Sequence, residues 1–241
     1  MFPAQFTDLQ FYQKKKDMIL YKAADDFHHY FLKCIITEKE SVKQAFRDEY
    51  ETFHQLSHPS IPVYYGLKED FLLPDGSQAL ALCMEYCEGI PLPSAAPFFT
   101  LHDLLNLILQ TGYILEFLLE NGVLYTDLHP SNLLVHPMPK EDRDVFRLVL
   151  LDYTYCYYFL KNPSPPYPLR FSYNLSPSLR GQQLLIQELT FLFHALLELK
   201  GNSTPAAPLP FSVCTLLETG FHPSDTLLLK EYLLMVKECI I

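Results

Sequence analysis

Short apolar runs dominate the first third of the chain. "MILYKA" and "HYFLKCII", separated by the turn-like "DDFHH", predict two adjacent strands within residues 18–36. "HPSIPVYYG" and "ALALCMEYC", separated by the polar turn "LPDGSQ", predict two more strands. Between these pairs, residues 37–56 predict a helix, and Thr37 followed by Glu40 predicts a capping box at its start. We therefore expect a small β-rich lobe with one helix.

The pattern becomes helical after residue 100. "TLHDLLNLILQTGYILEFLLENG" predicts a long helix that Gly122 ends, and "QQLLIQELTFLFHALLELKG" predicts a buried one. The runs "LLVHP" and "FRLVLLDY" predict strands around the charged loop "MPKEDRD", and residues 160–180 predict a long loop. Two short helices are expected in residues 211–241. The expected fold class is α+β, with a β lobe at residues 1–88 and a mainly helical lobe at residues 89–241.

Composition narrows the class of protein. The 241 residues are 49% hydrophobic, which suits a folded core, and the net charge of −10 argues against nucleic acid or an acidic membrane surface as a partner. No uninterrupted apolar run reaches about 18 residues, so we expect no membrane span. The start of the chain lacks the charge order of a signal peptide. Six cysteines without a CxxC pair indicate reduced thiols, as in the cytoplasm.

Two charged residues in the first third occupy positions that the pattern reserves for apolar side chains. Glu49 lies on the helical stripe between Phe46 and Phe53, and Lys33 is the one charged residue of "HYFLKCII". A carboxylate directed at a core needs a cationic or hydrogen-bonding partner. We therefore predict a Lys33–Glu49 pair; the alternative is a glutamate exposed at the edge of the stripe.

A second group of polar residues follows the long helix. Asp127 and Asn132 flank a tight turn that contains Pro130, and Asp152 ends the apolar run "RLVLLD". Carboxylate and amide oxygens together suit a magnesium ion. Taken singly, Asp127 could be a turn residue and Asp152 a cap. Together with Lys33 and Glu49, they favour a functional site.

These residues, in this order, resemble the protein kinase superfamily. "YFLKCI" is similar to the third-strand motif whose lysine binds nucleotide phosphates, and Glu49 then matches the acid that holds this lysine. "YTDLHPSN" resembles the catalytic loop, which makes Asp127 the catalytic base and Asn132 a magnesium ligand. "LLDYT" stands where the metal-binding Asp-Phe-Gly motif belongs, so that Asp152 would hold magnesium.

The same resemblance implies a nucleotide site and a bilobal fold. Met84 would be the gatekeeper, Glu85 and Cys87 would offer backbone groups to adenine, and Leu134 would form the floor beneath it. Glu188 stands in place of the usual aspartate of the central helix. The implied cofactors are ATP and Mg²⁺, and five polar side chains are expected to gather in one crevice between the lobes. The helical lobe is expected to be truncated.

Several positions depart from the family pattern. The stretch "YQKKKDMILYKA" contains no glycine, so that Lys14, Lys15 and Lys16 would have to replace backbone amides in contacting phosphate. Phe31 replaces a small residue and, two positions before Lys33, shares its face of the strand. Other replacements involve the residues around the catalytic aspartates and the end of the activation segment: Tyr125, Thr126, His129, Tyr153, Thr154 and the "SPS" at 176–178.

These departures leave three functions open. The first is an active, divergent kinase that phosphorylates Ser or Thr of a protein substrate. The second is a pseudokinase that binds a protein partner with weak or no nucleotide binding, for which the missing glycines and Phe31 argue. The third is a small-molecule kinase of the aminoglycoside or choline type, which "DLHPSN" resembles. A compact kinase of this kind also fits a protein delivered into a host cell, and the sequence defines neither its substrate nor its oligomeric state.

Overall fold

A computed structural model describes residues 2–3, 6–15, 18–137, 146–154, 156–158, 177–201, 208–224 and 226–240. The chain divides into two compact units, Met1–Glu88 and Gly89–Ile241. The first unit is mainly antiparallel sheet with one helix, and the second is mainly helical, as expected for an α+β protein of the kinase type. The predicted loop at 160–180, except its last four residues, and the loop "MPKEDRD" lie outside the described residues.

The first unit is built on a five-stranded antiparallel sheet in the order β1-β2-β3-β5-β4. One helix, α1, follows the third strand. The elements are β1 (Asp8–Lys15), β2 (Met18–Ala24), β3 (His29–Ile35), α1 (Glu40–Phe53), β4 (Tyr64–Leu72) and β5 (Gln78–Glu85). The four strands predicted from the sequence are present, and β1 is an additional one that the sequence pattern did not indicate.

The two faces of this sheet have different cores. Alternate residues of β2, β3 and β5 form an apolar cluster on one face, with Phe2 and Phe6 of the N-terminal segment packed against it. Lys33, which belongs to the other set of alternate positions, lies opposite Leu20 of β2 and Leu82 of β5. Its face therefore combines a charged residue with a strongly buried apolar environment.

The start of α1 differs from the prediction. The helix begins at Glu40, and Lys39 precedes it without a side-chain cap, so the predicted capping box of Thr37 and Glu40 is absent. Thr37 Oγ1 instead accepts a hydrogen bond from the backbone N–H of Lys39 at 3.2 Å. This local turn uses the hydroxyl before the helix begins. The helix ends at Phe53, three residues earlier than predicted.

The second unit contains five short strands and five α-helices among its described residues. Two small antiparallel sheets have the orders β6-β8-β9 and β10-β7. The elements are β6 (Ile90–Pro91), α2 (Leu92–Ala95), α3 (Leu101–Glu120), β7 (Val123–Leu124), β8 (Leu133–Pro137), β9 (Phe146–Leu150), β10 (Tyr157–Tyr158), α4 (Pro177–Gly201), α5 (Phe211–Phe221) and α6 (Leu229–Glu238). The predicted helices are present, and α4 begins five residues earlier than predicted.

Helix α3 has clear signals at both ends. Thr100 and Asp103 form a reciprocal capping box at its start, in which Thr100 Oγ1 accepts from the N–H of Asp103 and Asp103 Oδ2 accepts from the N–H of Thr100. At its other end, Gly122 has a φ of 77°, a left-handed conformation that glycine adopts without strain. The chain then turns directly into β7 and the polar segment with Asp127 and Asn132.

None of the helices in the described part of the chain combines the length and apolar composition that a membrane crossing requires. All six cysteines are free thiols. Cys34 and Cys83 are buried, and burial raises the pKa of both thiols to about 12. These two thiols therefore remain protonated at neutral pH and act as small apolar side chains.

Candidate active site

Lys33 and Glu49 form a buried ion pair in the first unit. Lys33 Nζ lies 3.0 Å from Glu49 Oε1, and the two residues are 4% and 0% exposed. The pair predicted from the misplaced charges is thus confirmed. The helical stripe that carries Phe46 and Phe53 directs Glu49 onto the sheet, since all three residues are buried in α1.

Tyr64 adds a partner that the sequence did not indicate. Its hydroxyl donates to Glu49 Oε1 at 2.8 Å, and its ring stacks on Phe53 with the centroids 5.4 Å apart. One carboxylate oxygen therefore accepts from both a cation and a phenol. Charge-assisted bonds of this kind fix the direction of a side chain in an apolar environment. Glu49 is consequently a rigid support for the ammonium group of Lys33.

The pairing of the first two strands contains a β-bulge. Phe11 pairs with Tyr21 and Gln13 pairs with Leu20, so that Tyr12 is an extra residue in β1. A bulge redirects the side chain of its extra residue. Tyr12 makes an edge contact with the ring of Phe31, with the centroids 5.6 Å apart. Phe31 is half-buried and lies opposite Lys22 on β2.

Lys22 connects this bulge with the segment after β5. Its ammonium lies 5.3 Å from the centroid of the Tyr12 ring and 4.8 Å from that of Tyr86, and it donates to the Tyr86 hydroxyl at 2.9 Å. Lys14 and Lys15 are exposed at the end of β1, and Lys16 lies outside the described residues. The ribbon of β1 and β2 is thus stabilised by aromatic and cation–π contacts.

The residues expected to contact adenine occupy the end of β5 and the strand β8. Met84 is 5% exposed and lies opposite Phe31. The N–H of Glu85 donates to the Val63 carbonyl at 2.8 Å. The backbone group that Glu85 could offer to adenine is therefore its carbonyl. Cys87 Sγ lies 4.0 Å from that carbonyl. Leu134 in β8 is half-buried, as an apolar contact surface would be.

Asp127 and Asn132 lie side by side in the second unit. Asn132 is 6% exposed, and its Nδ2 donates to the Asp127 carbonyl at 3.1 Å and lies 3.4 Å from Asp127 Oδ2. The Asp127 carboxylate is 40% exposed, and His129 Nε2 is 3.8 Å from its Oδ2. The tight turn predicted around Pro130 is a short 3₁₀ segment that ends at Asn132. The turn therefore holds one carboxylate accessible and one amide buried.

Asp152 follows the strand that pairs with β8. The N–H of Leu151 donates to the Asn132 carbonyl at 2.8 Å, so that the backbone just before Asp152 lies beside Asn132. Asp152 has a φ of 58°, in the left-handed region, and its Oδ1 accepts from the Thr154 hydroxyl at 2.9 Å. Such a backbone conformation is uncommon outside glycine and concentrates at functional sites. The structure thus places Asn132 beside Asp127, and the backbone next to Asp152 beside Asn132.

A family comparison identifies the class of protein. The family model for the protein kinase domain matches residues 18–163, which is more than half of the chain. The chain belongs to the protein kinase family. Among curated proteins, none matches the chain. The matched region includes the buried ion pair, Asp127 and Asp152, and the chemistry of the family is kinase-type phosphoryl transfer.

The family implies ATP and usually Mg²⁺, and the residues of the second unit fit a magnesium ion. Within the described residues, Oδ1 of the buried Asn132 accepts no hydrogen bond, whereas its Nδ2 is fully engaged. An amide oxygen beside a carboxylate is a donor set that magnesium accepts, with phosphate and water completing its shell. The same part of the chain contains no cluster of three His, Cys, Asp or Glu side chains suited to a metal.

Proposed function

We propose that this kinase transfers the γ-phosphate of ATP to Ser or Thr hydroxyls of a protein substrate. The observation that carries the proposal is the buried Lys33–Glu49 pair. Burying two charges contributes little to stability compared with an apolar pair of the same size. An ion pair retained at this cost is better explained by a role in binding an anion, and Lys33 is the cation that would contact the nucleotide phosphates.

Each remaining residue has a role in the proposal. Asp127, accessible to solvent, would accept the proton of the substrate hydroxyl and orient it. Asn132 and Asp152 would hold the magnesium ion, which supplies charge neutralisation to the phosphates. Met84, the Glu85 carbonyl, Cys87 and Leu134 would contact adenine. Phosphoryl transfer depends mainly on positioning and electrostatic stabilisation, and this set provides both.

A pseudokinase is the second candidate, and a specific observation favours it. Phe31 lies on the strand of Lys33 and pairs with Met84 of β5. Tyr12 packs against the Phe31 ring. Two aromatic rings in this region would reduce the room for adenine. The exposed Lys14 and Lys15 would have to supply the phosphate contacts that glycine amides otherwise make. Under this reading, the fold would bind a protein partner. The free thiols fit a cytoplasmic location in either case.

A transfer assay tests the first candidate. The full chain is incubated with γ-radiolabelled ATP, Mg²⁺ and casein, beside Asp127→Ala, Asp152→Ala and the exposed control Asp70→Ala. We expect Asp70→Ala to retain labelling and both site variants to lose more than about a hundredfold. Phosphoamino-acid analysis then distinguishes Ser and Thr from Tyr. Equal labelling in all four proteins would indicate a contaminating kinase.

A thermal-shift measurement separates the two candidates. At 100 times its dissociation constant, a ligand stabilises the folded state by about 2.7 kcal/mol, which is readily detected as a higher melting temperature. We expect Mg-ATP to raise the melting temperature of the wild type and not that of Lys33→Ala. No shift at millimolar Mg-ATP in the wild type would contradict the kinase and support the pseudokinase.

A further inference from the structure

The hydroxyl of Tyr125 joins the two segments that carry Asn132 and Asp152. Tyr125 is 1% exposed, and its hydroxyl donates to the Leu151 carbonyl at 2.7 Å. The same oxygen accepts a hydrogen bond from Asn132 Nδ2 at 3.2 Å. One buried group is therefore both a donor to the residue before Asp152 and an acceptor from the Asn132 side chain.

These contacts fix the orientation of the Asn132 amide. Its Nδ2 donates to the Tyr125 hydroxyl and to the Asp127 carbonyl, which uses both of its N–H groups. Because the amide is planar, Oδ1 is directed away from these acceptors. A rotated or flipped amide would leave a buried N–H without an acceptor, which costs about 1–3 kcal/mol. The Tyr125 hydroxyl thereby selects the conformation in which Oδ1 is open to a ligand.

We propose that Tyr125 is a positioning residue for the magnesium site, acting through its hydroxyl on Asn132 and on the turn that carries Asp152. This inference rests on the proposed function, because it concerns the metal of that same site. Outer hydrogen-bond partners of metal ligands affect metal affinity by about 10- to 100-fold. Tyr125 itself does not contact the metal in this proposal.

The role of the hydroxyl can be separated from that of the ring. The Tyr125 ring makes an edge contact with the ring of Tyr153, with the centroids 5.6 Å apart, and Tyr125→Phe retains this packing. Tyr153 provides a matched control, since it is 0% exposed and its hydroxyl donates to the Leu150 carbonyl at 2.7 Å. Within the described residues, Asn132 makes no hydrogen bond to Tyr153.

The test measures binding of a non-hydrolysable ATP analogue by calorimetry, with and without Mg²⁺, on the full chain. We expect Tyr125→Phe to weaken binding about tenfold when Mg²⁺ is present, and to leave metal-free binding within about twofold of the wild type. Tyr153→Phe should remain within about twofold in both conditions. Melting temperatures measured without ligand verify that each variant is folded.

A double-mutant cycle shows whether Tyr125 acts through Asn132. In an Asn132→Ala background, Tyr125→Phe should cause a clearly smaller loss of Mg²⁺-dependent affinity than in the wild type, because the amide that it positions is gone and only its bond to the Leu151 carbonyl remains. Should Tyr125→Phe fail to fold, Tyr125→Leu enters the same cycle with the same coupling expected, because leucine also lacks a hydrogen-bonding group. An equal loss with and without Asn132 would overturn the inference, as would a wild-type affinity for Tyr125→Phe beside a weakened Asn132→Ala.

The failure of the proposed function gives a different result. If the wild type itself binds no Mg²⁺-nucleotide, the proposed function is wrong and this inference is wrong with it. If the wild type binds and Asn132→Ala binds weakly, the metal site stands, and only the behaviour of the Tyr125 variants decides the inference. The two failures are thus distinguished by the wild-type and Asn132→Ala measurements.

Discussion

A fully buried glutamate in the first unit and a half-buried one in the second unit have opposite electrostatic surroundings. Glu49 in the first unit is fully buried and accepts hydrogen bonds from Lys33 and Tyr64. Glu188 in α4 is half-buried, and the charge that acts on it is the like charge of Asp127. Burial, and to a lesser extent Asp127, raise the pKa of Glu188 to about 7. Within the described residues, no cation forms an ion pair with it.

The difference shows two ways to place an acid in a protein interior. A carboxylate with a cation beside it keeps its charge and can orient that cation, as Glu49 orients Lys33. A carboxyl group without a cation favours its protonated form, which adds no second negative charge beside Asp127. In the proposed mechanism, the first arrangement prepares a phosphate contact. The second arrangement, a protonated Glu188, limits electrostatic repulsion with Asp127, the proposed base.

The largest expected loss of stability comes from breaking the Lys33–Glu49 pair. Lys33→Met removes the cation and leaves Glu49 in an apolar environment, and we expect the free energy of unfolding to fall by about 4 kcal/mol. Urea denaturation at pH 7 measures this. Arg47→Met is the matched control, on the helix that carries Glu49, because Arg47 forms its ion pairs with Glu40 and Glu69 at the surface. Its effect should be far smaller.

The double variant Lys33→Met/Glu49→Leu completes the comparison. Removing both charges eliminates the buried carboxylate that Lys33→Met deprives of its ammonium partner, so that most of the lost stability should return. A double variant as unstable as Lys33→Met would show that the lysine stabilises the unit by packing and not by neutralising Glu49.

A smaller loss of stability is expected when the hydroxyl of Tyr64, the second partner of Glu49, is removed. Tyr64→Phe removes a hydrogen bond to a buried carboxylate and should lower the free energy of unfolding by about 2 kcal/mol. Tyr65→Phe is the control, because the neighbouring hydroxyl makes no hydrogen bond within the described residues, although its ring contacts Tyr30. Equal losses for the two variants would contradict a specific role of the Tyr64 hydroxyl.

The contrast also explains what the sequence could predict. Lys33 and Glu49 were predictable because a charge on an apolar stripe or strand is an exception to a regular period, and two opposite exceptions suggest a pair. Tyr64 was not predictable, since tyrosine suits a half-apolar strand whether or not its hydroxyl has a partner. The sequence therefore indicated the charged part of the network and not its neutral part.

Backbone details were harder to predict than side-chain pairs. The bulge at Tyr12 adds one residue to an exposed strand, where no apolar alternation reveals the register. Thr37 fits the capping pattern but bonds within a preceding turn, whereas Thr100 caps its helix with Asp103. The left-handed φ of Asp152 depends on the strand and loop around it, and no local residue pattern indicates it.

The smallest expected change in stability concerns the ionisation of Glu188, and it depends on pH. Because its pKa is about 7 in the folded chain and near 4.5 when exposed, the folded state binds more protons than the unfolded state between these values. The contribution of Glu188 to stability therefore decreases as pH rises from about 4.5 to about 7 and is then constant. Glu188→Gln carries no proton to lose and lacks this decrease.

We therefore expect Glu188→Gln to gain on the order of 1–2 kcal/mol of stability relative to the wild type between pH 5 and pH 8. Urea denaturation at both pH values gives the difference, in which the other titrating groups cancel. Glu218→Gln is the control, since Glu218 is a solvent-exposed carboxylate of the same unit, in α5. A pH-independent difference for Glu188→Gln would mean that Glu188 ionises in the folded chain as it does in water, and that the interior of the second unit tolerates its charge without a cation.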